Sequence, residues 1–543
     1  MNIINNEPLP LHELISQILA PEPLDYSSKG LISGLGTMQF LNQRLGNQPL
    51  PNFINAVLRG ISQVIFVNNP VSGFLFLLAM LIQLPWLGIM ALAGTVSATI
   101  TAIVLRANPS AIQNGVFGLN GMLVGATMAF FGALGNRLWH PVWVIAIIIL
   151  SAITAVVMQT VGTWFAIRFR VAPLGIPFNG VMLTFLVLIT LVPQPIFNLA
   201  APPIFSPGTL DQVRLFQSLP LGFGQVFFSD KFVSVLLVIL GVAISTPIGA
   251  IVGLLGCAAF LLAGTFLKTS PDQLYIGLWS YNAVLAATAI GGVFYTPNLL
   301  SISLGLLCAF LASIISFTLA PLFSSVNLPI LSVPFAFVTI SCCLVLQRSL
   351  PSLVPVVLQT VASPEEHRQR YFAAKEVVRS FRQQLQAALA GHPRKILFEQ
   401  APEAIKGNLR YIFDAIDRDR SGLLSGQELK WHLQQAAKPI SDAEMAYLFR
   451  SMDRDNSGTI DFQEFGELML RHQRLMAKYR EFVTYFLPID ADEDNLISIK
   501  EMNTALVSLR EPPLSQDEVR FLQQQTGGEP LTWNQFIEVL LLT

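Results

Sequence analysis

Three twelve-residue stretches in the last third of the chain carry oxygen-bearing side chains at alternate positions, a spacing that wraps a loop around a hard cation. DRDRSGLLSGQE (417–428) offers Asp417, Asp419, Ser421, Ser425, the Leu423 carbonyl and a closing Glu428. DRDNSGTIDFQE (453–464) repeats the order with Asp453, Asp455, Ser457, Thr459, Asp461 and Glu464. A glycine, Gly422 or Gly458, stands sixth in each, where the chain must turn sharply. DADEDNLISIKE (490–501) follows with Asp490, Asp492, Asp494, the Leu496 carbonyl, Ser498 and Glu501. Its turn residue is Asn495, which reaches the left-handed region more readily than most residues. Oxygen sets of this kind suit Ca2+, the expected cofactor. These carboxylates are committed as ligands, and the rest of the chain shows no nucleophile–base constellation, so an enzyme is not expected.

A second polar set recurs in the first two thirds. Gly60, Gln63, Val64 and Phe66 return as Gly222, Gln225, Val226 and Phe228, an offset of 162. At that offset Ser72 meets Ser234, Pro85 meets Pro247, Pro109 meets Pro271, Asn120 meets Asn282 and Leu123 meets Leu285. The offset then slips to 157, pairing Pro177-Phe178 with Pro334-Phe335. Gly, Pro, Asn and Gln do not recur in register through apolar composition alone, so the duplication is real. An amide both donates and accepts, so Gln63 and Gln225 could replace part of the hydration shell of a small polar solute. The competing reading is that they only bond neighbouring helices together.

The elements that carry these residues differ sharply along the chain. Of 543 residues, 52% are hydrophobic and 12% charged, against about 25% charged in soluble domains. The first 362 positions hold 18 of the 67 charges. A net charge of −1 excludes a nucleic-acid-binding stripe. The four cysteines (Cys257, Cys308, Cys342, Cys343) lie in apolar runs without metal or redox spacing. The opening MNIINNEPLPLHELISQ has no basic segment followed by an apolar one, so no cleaved signal is expected. From Ala56 to Val345 apolar stretches approaching the ~20 residues of a bilayer span alternate with Gly, Pro and Asn breaks. The expected fold is all-α: a polytopic helical membrane protein with two inverted five-helix repeats, then a soluble calcium-binding domain. An odd number of segments per repeat forces the second to enter from the opposite side, with a pathway between them at mid-membrane. The apolar segments hold no central Asp, Glu, Lys, Arg or His, which argues against proton relays and ion pores and for a small neutral solute.

RGISQVIFVNNPVSG, NGVFGLNGMLVG and GLWSYNAVLAATAIGGVFY resemble the urea transporter family. That family's Leu-Pro-x-x-Thr-x-Pro-Phe signature appears twice, as VAPLGIPF (171–178) and LPILSVPF (328–335). The resemblance runs from about Arg59 to Lys375 and implies passive flow of urea through a pore in each subunit of a homotrimer. It implies that Gln63 and Gln225 face each other at one pore mouth and bind the urea amides. It further implies flat walls of Phe66, Leu119, Val226 and Tyr281, with Leu123 and Leu285 behind. The family's mid-pore threonines fall at Gly175 and Ser332, so one hydroxyl is missing. That departure leaves other small neutral solutes open, including short amides, ammonia and water.

Past Leu346 the sequence turns charged. SPEEHRQRYFAAKEVVRSFRQQLQAAL begins with Ser363 as an N-cap, Pro364 at the first helical position and Glu365 and Glu366 in the first turn. Its basic residues after the last apolar segment favour a cytoplasmic location. The segment 363–390 is also a candidate intramolecular target for calcium-loaded lobes, against the alternative of a surface or linker helix. The loops resemble the calmodulin-like EF-hand family. Their apolar eighth residues (Leu424, Ile460, Ile497) are placed to join paired loops by a short β-bridge. A fourth unit near QQQTGGEPLTWNQF lacks the acidic array and should complete the second lobe without binding. The expected organisation is an N-terminal segment (1–53), repeat one (54–190), a connection (191–216), repeat two (217–350), a juxtamembrane helix (351–400) and EF-hand pairs at 401–475 and 476–543. The leading expectation is a urea channel of the cell membrane with a cytoplasmic calcium-sensing domain. A membrane-tethered calcium sensor is the alternative.

Overall fold

The computed structural model describes residues 36–133, 141–191, 208–349, 362–389, 401–434, 457–470, 496–509, 511–526 and 531–532, with isolated positions between them. They form two compact units, one within Tyr26–Tyr371 and one within Phe372–Thr543.

Helix starts in the first unit follow the prolines. Pro49, Pro70, Pro85, Pro109, Pro247 and Pro271 each open a helix, where the missing N–H costs nothing and φ is already helical. Proline also disfavours helix in the residue before it, and Asn69 uses that position as a cap. Its Oδ1 accepts from Val71 N at 2.8 Å and Ser72 N at 3.3 Å. The same Asn-Pro break bends Pro49–Ile65 by 74° from Pro70–Gln83. Among the described residues Pro85–Val104, Val142–Phe169, Pro247–Phe266 and Leu299–Ser325 are long and apolar enough to cross a membrane, and the bent pair makes a further candidate. Shorter apolar helices stand between them.

The duplication is visible in the element boundaries. Pro70–Gln83, Pro85–Val104 and Pro109–Gln113 recur 162 positions later as Phe232–Ser245, Pro247–Phe266 and Pro271–Tyr275. Ile176–Leu191 recurs near the 157 offset as Val333–Ser349. Left-handed residues repeat too: Phe66 (φ 61°) with Phe228 (53°), and Leu174 (51°) with Leu331 (47°). Ser72 Oγ donates to the Gly241 carbonyl at 2.6 Å, and Ser234 Oγ donates to the Ala79 carbonyl at 2.9 Å. Each bond is the other's repeat equivalent, so the two helices run antiparallel and meet through the same surface patch.

In the second unit Glu403–Ile416 and Gly426–Gln434 flank the first loop, over a core of Leu409, Ile412, Phe413, Leu424, Ile460 and Phe465. Leu424 and Ile460 form the antiparallel bridge that joins the first two loops. Further on, Leu496–Ile497 pairs antiparallel with Leu531–Thr532, so the third loop takes its partner from the fourth unit.

Candidate functional site

The ten residues singled out in the apolar part, Gln63, Phe66, Leu119, Leu123, Gly175, Gln225, Val226, Tyr281, Leu285 and Ser332, all line one cavity of about 750 Å³. Its wall carries no Asp, Glu, Lys or Arg among the described residues; His367 is the one imidazole. Both glutamines are held from behind. Gln63 Nε2 donates to the Asn114 carbonyl at 3.1 Å, and Gln225 Nε2 donates to the Ile276 carbonyl at 2.9 Å. These are repeat-equivalent bonds. Because a carbonyl can only accept, each glutamine must point its NH2 at the turn and keep its Oε1 free to accept from a solute.

The wall residues are positioned by unusual backbone. Phe66 and Phe228 sit at φ > 0, which costs a non-glycine residue about 1–2 kcal/mol. The Phe66 ring meets Phe294 and Phe335 edge-on at 5.8 and 5.9 Å, while Phe228 lies against Phe130 at 5.2 Å. Tyr281 Oη donates to the Leu331 carbonyl at 2.7 Å, pinning the second signature beside the cavity. Across from it Asn179, outside the expected set, bonds to both Gly175 and Ser332.

A buried arginine supports the Gln63 end, and the sequence reading missed it. Arg59 is fully buried. It donates to the carbonyls of Thr37 (2.8 Å), Met38 (2.8 Å) and Asn68 (2.7 Å), to Asn55 Oδ1 (3.1 Å) and to Asn68 Oδ1. Asn68 Nδ2 in turn donates to the same Asn114 carbonyl that holds Gln63. Its one available signal was a charge inside an otherwise apolar repeat motif, whose mate is Leu221. Thr37 also donates through N and Oγ1 to Glu366, which forms a reciprocal cap with Ser363, the N-cap expected from the sequence: Glu366 N to Ser363 Oγ at 3.2 Å and Ser363 N to Glu366 Oε2 at 3.1 Å.

The chain matches the urea transporter family over residues 54–347 and the EF-hand domain pair over residues 407–470. The chain belongs to the urea transporter family. It is similar to urea transporter 1 of Mus musculus, 30% identical over 347 residues, which cover 63% of this chain and 89% of the mouse protein. Urea transporter 1 of Rattus norvegicus is 30% identical over 369 residues, 67% of this chain and 95% of its own length. Urea transporter 1 of Capra hircus stands at the same identity over 345 residues. The apolar unit is thus a multi-pass membrane domain, followed by an EF-hand calcium-binding domain.

The first two loops have the donor set a calcium ion needs. Ligand oxygens of Asp417, Asp419 and Glu428 lie within 4.8 Å of one another, as do those of Asp453, Asp455 and Glu464. Asp417 accepts from the amides of Ser421 at 3.0 Å and Gly422 at 2.8 Å, and Asp453 does the same with Ser457 and Gly458, both at 2.9 Å. Gly422 (φ 79°) and Gly458 (φ 81°) make the turn. Hydroxyl and amide of Ser421 and of Ser457 hold the Asp419 and Asp455 carboxyls below their usual range. Burial pulls Glu428 upward, but the Ser425 amide and hydroxyl and the Arg418 amide leave it lowered. All three are therefore charged near neutrality and ready to ligate. Leu423 and Thr459 carbonyls accept from Ser421 and Ser457 Oγ at 2.9 and 2.8 Å; Glu464 N donates to Asp461 at 2.7 Å. Of the third loop, Ser498 Oγ donates to Glu501 at 2.7 Å, matching Ser425 and Glu428 at 2.7 Å, whereas Asp490, Asp492 and Asp494 lie outside the described residues.

Proposed function

We propose that the cavity is a passive, channel-type pathway for urea through the cell membrane. The observation that carries this is one cavity lined by both tethered glutamines, flat apolar walls and no acidic or basic chain among the described residues save His367. Urea is planar, with four N–H donors and one carbonyl. Apolar slabs accept its faces, and the free glutamine Oε1 atoms accept its N–H groups in place of water. A hydrated ion finds no charge there to offset dehydration. The antiparallel, reciprocally bonded helices support an inverted repeat. Such symmetry exchanges the two membrane faces, so it carries Gln63 onto Gln225 at opposite mouths, in place of the shared mouth implied by the family resemblance. The homotrimer rests on that resemblance.

The EF-hand domain is proposed as a cytoplasmic calcium sensor of this channel, on the side marked by Arg368 and Arg370 beyond the last apolar helix. Lys375, Arg379 and Arg382 meet Glu511 and Glu518 of the second lobe, which supports 363–390 as its intramolecular target. A urea flux indifferent to calcium would reduce this domain to a scaffold.

The test is stopped-flow urea flux into vesicles containing the purified chain, compared with Gln63→Trp and Gln225→Trp. An indole at either mouth should lower flux at least tenfold. Flux unchanged by both would show that the solute does not cross this cavity.

A further inference from the structure

Gly175 and Ser332 stand where the two signatures meet the cavity, and Gly175 brings no side chain to it. The space is nevertheless filled. A Cβ at 175 would lie 2.8 Å from Ser332 Oγ and 3.1 Å from Asn179 Nδ2. Asn179, in the first turn of Ile176–Leu191, is itself buried and stands behind the wall. Its Nδ2 donates to the Gly175 carbonyl at 2.8 Å and to Ser332 Oγ at 2.9 Å, and its Oδ1 accepts from Ser332 N at 3.2 Å. One end faces a carbonyl and the other an N–H, so the orientation of the amide is fixed by its partners. The 157 offset pairs Asn179 with Ala336, so this crossing amide exists in one half only.

The bond from Nδ2 occupies one lone pair of the Ser332 hydroxyl and fixes the oxygen. The Ser332 hydroxyl donates to Asn179 Oδ1 across an Oγ–Oδ1 distance of 3.3 Å, to an acceptor already engaged by the Ser332 amide. Ser332 therefore has a donor it can turn towards a solute that brings a good acceptor. Resting on the channel reading above, we propose that Asn179 is a positioning residue for selectivity: acting through Ser332, it presents a single O–H donor at mid-pathway and favours solutes with a carbonyl oxygen. The second hydroxyl, absent at Gly175, is replaced by structure behind the wall rather than by an opening in it.

Thiourea tests this, because it keeps urea's shape and N–H groups but carries sulfur, a weak acceptor, in place of oxygen. The ratio of urea to thiourea permeability is measured in vesicles containing the full chain, N179A, S332A and the double variant. One hydrogen bond of ordinary strength corresponds to a loss of about three- to tenfold in that ratio. N179A and S332A should each show it, and the double variant no more than either alone. If N179A does not reconstitute, G175A serves, since its methyl displaces the Ser332 hydroxyl and should lower the ratio similarly. Urea flux with an unchanged ratio in N179A or G175A overturns the proposal, as do N179A and S332A effects that multiply. Absence of urea flux in the unsubstituted chain overturns the channel reading as well, so the two failures are told apart.

Discussion

Glu428 and Glu464 close their loops from the twelfth position, and each is tied to the backbone three residues earlier: Ser425 N to Glu428 at 2.9 Å, Asp461 N to Glu464 at 3.1 Å. A glutamine keeps the shape of that contact but removes the charge that a calcium ion requires. Glu428→Gln and Glu464→Gln should each remove one bound calcium by isothermal titration. The double substitution should abolish any calcium response of urea flux; full stoichiometry in both single variants would contradict the ligand assignment. These candidate ligands were legible in the sequence because the donors of one loop lie close together in the chain. Arg59 and Asn179 were not. Arg59 is satisfied by carbonyls up to 22 residues away, and Asn179 reaches Ser332 across 153, so neither partnership leaves a local pattern.

Helix boundaries were more legible than the contacts they enable. Proline at the first helical position is local chemistry, so breaks at Pro70, Pro85 and Pro247 could be read directly, and Asn69 and Thr246 add polar caps before two of them. What the helix Pro364–Leu389 does with its basic residues could not. Within the second unit, Arg382 bonds Glu518 at 3.1 Å and the carbonyls of Pro512 and Pro513 at 2.6 Å, while Arg379 meets Glu511 at 2.8 Å. Burial pulls the Glu518 carboxyl upward, but Arg382 and the Ser515 amide outweigh it and leave it lowered. A folded value below the unfolded one contributes stability above the ordinary carboxylate range of about 4.3, lost as pH falls through the depressed folded value. Protection of the amides around 511–518, taken relative to intrinsic exchange at each pH, should therefore hold from pH 7 to 5 and fall only in stronger acid. Arg382→Met should lower it throughout, and protection unaffected by that substitution would show that the helix is not held by this pair.

At the scale of the molecule, a duplicated membrane domain and a calcium-binding domain share one chain. The duplication was readable because glycine, proline, asparagine and glutamine recur in register, and the paired bonds of Ser72 and Ser234 give it a physical form. The described lining of the cavity carries no Asp, Glu, Lys or Arg and one imidazole, His367, which supports the passive pathway proposed above. The most direct test is urea flux through the purified chain in vesicles with pH, sodium and potassium equal on both sides and no nucleotide present. Rapid flux down the urea gradient is expected, unchanged when an ion gradient of either sign is imposed. Flux that appears only with such a gradient, or none above protein-free vesicles, would contradict the passive pathway.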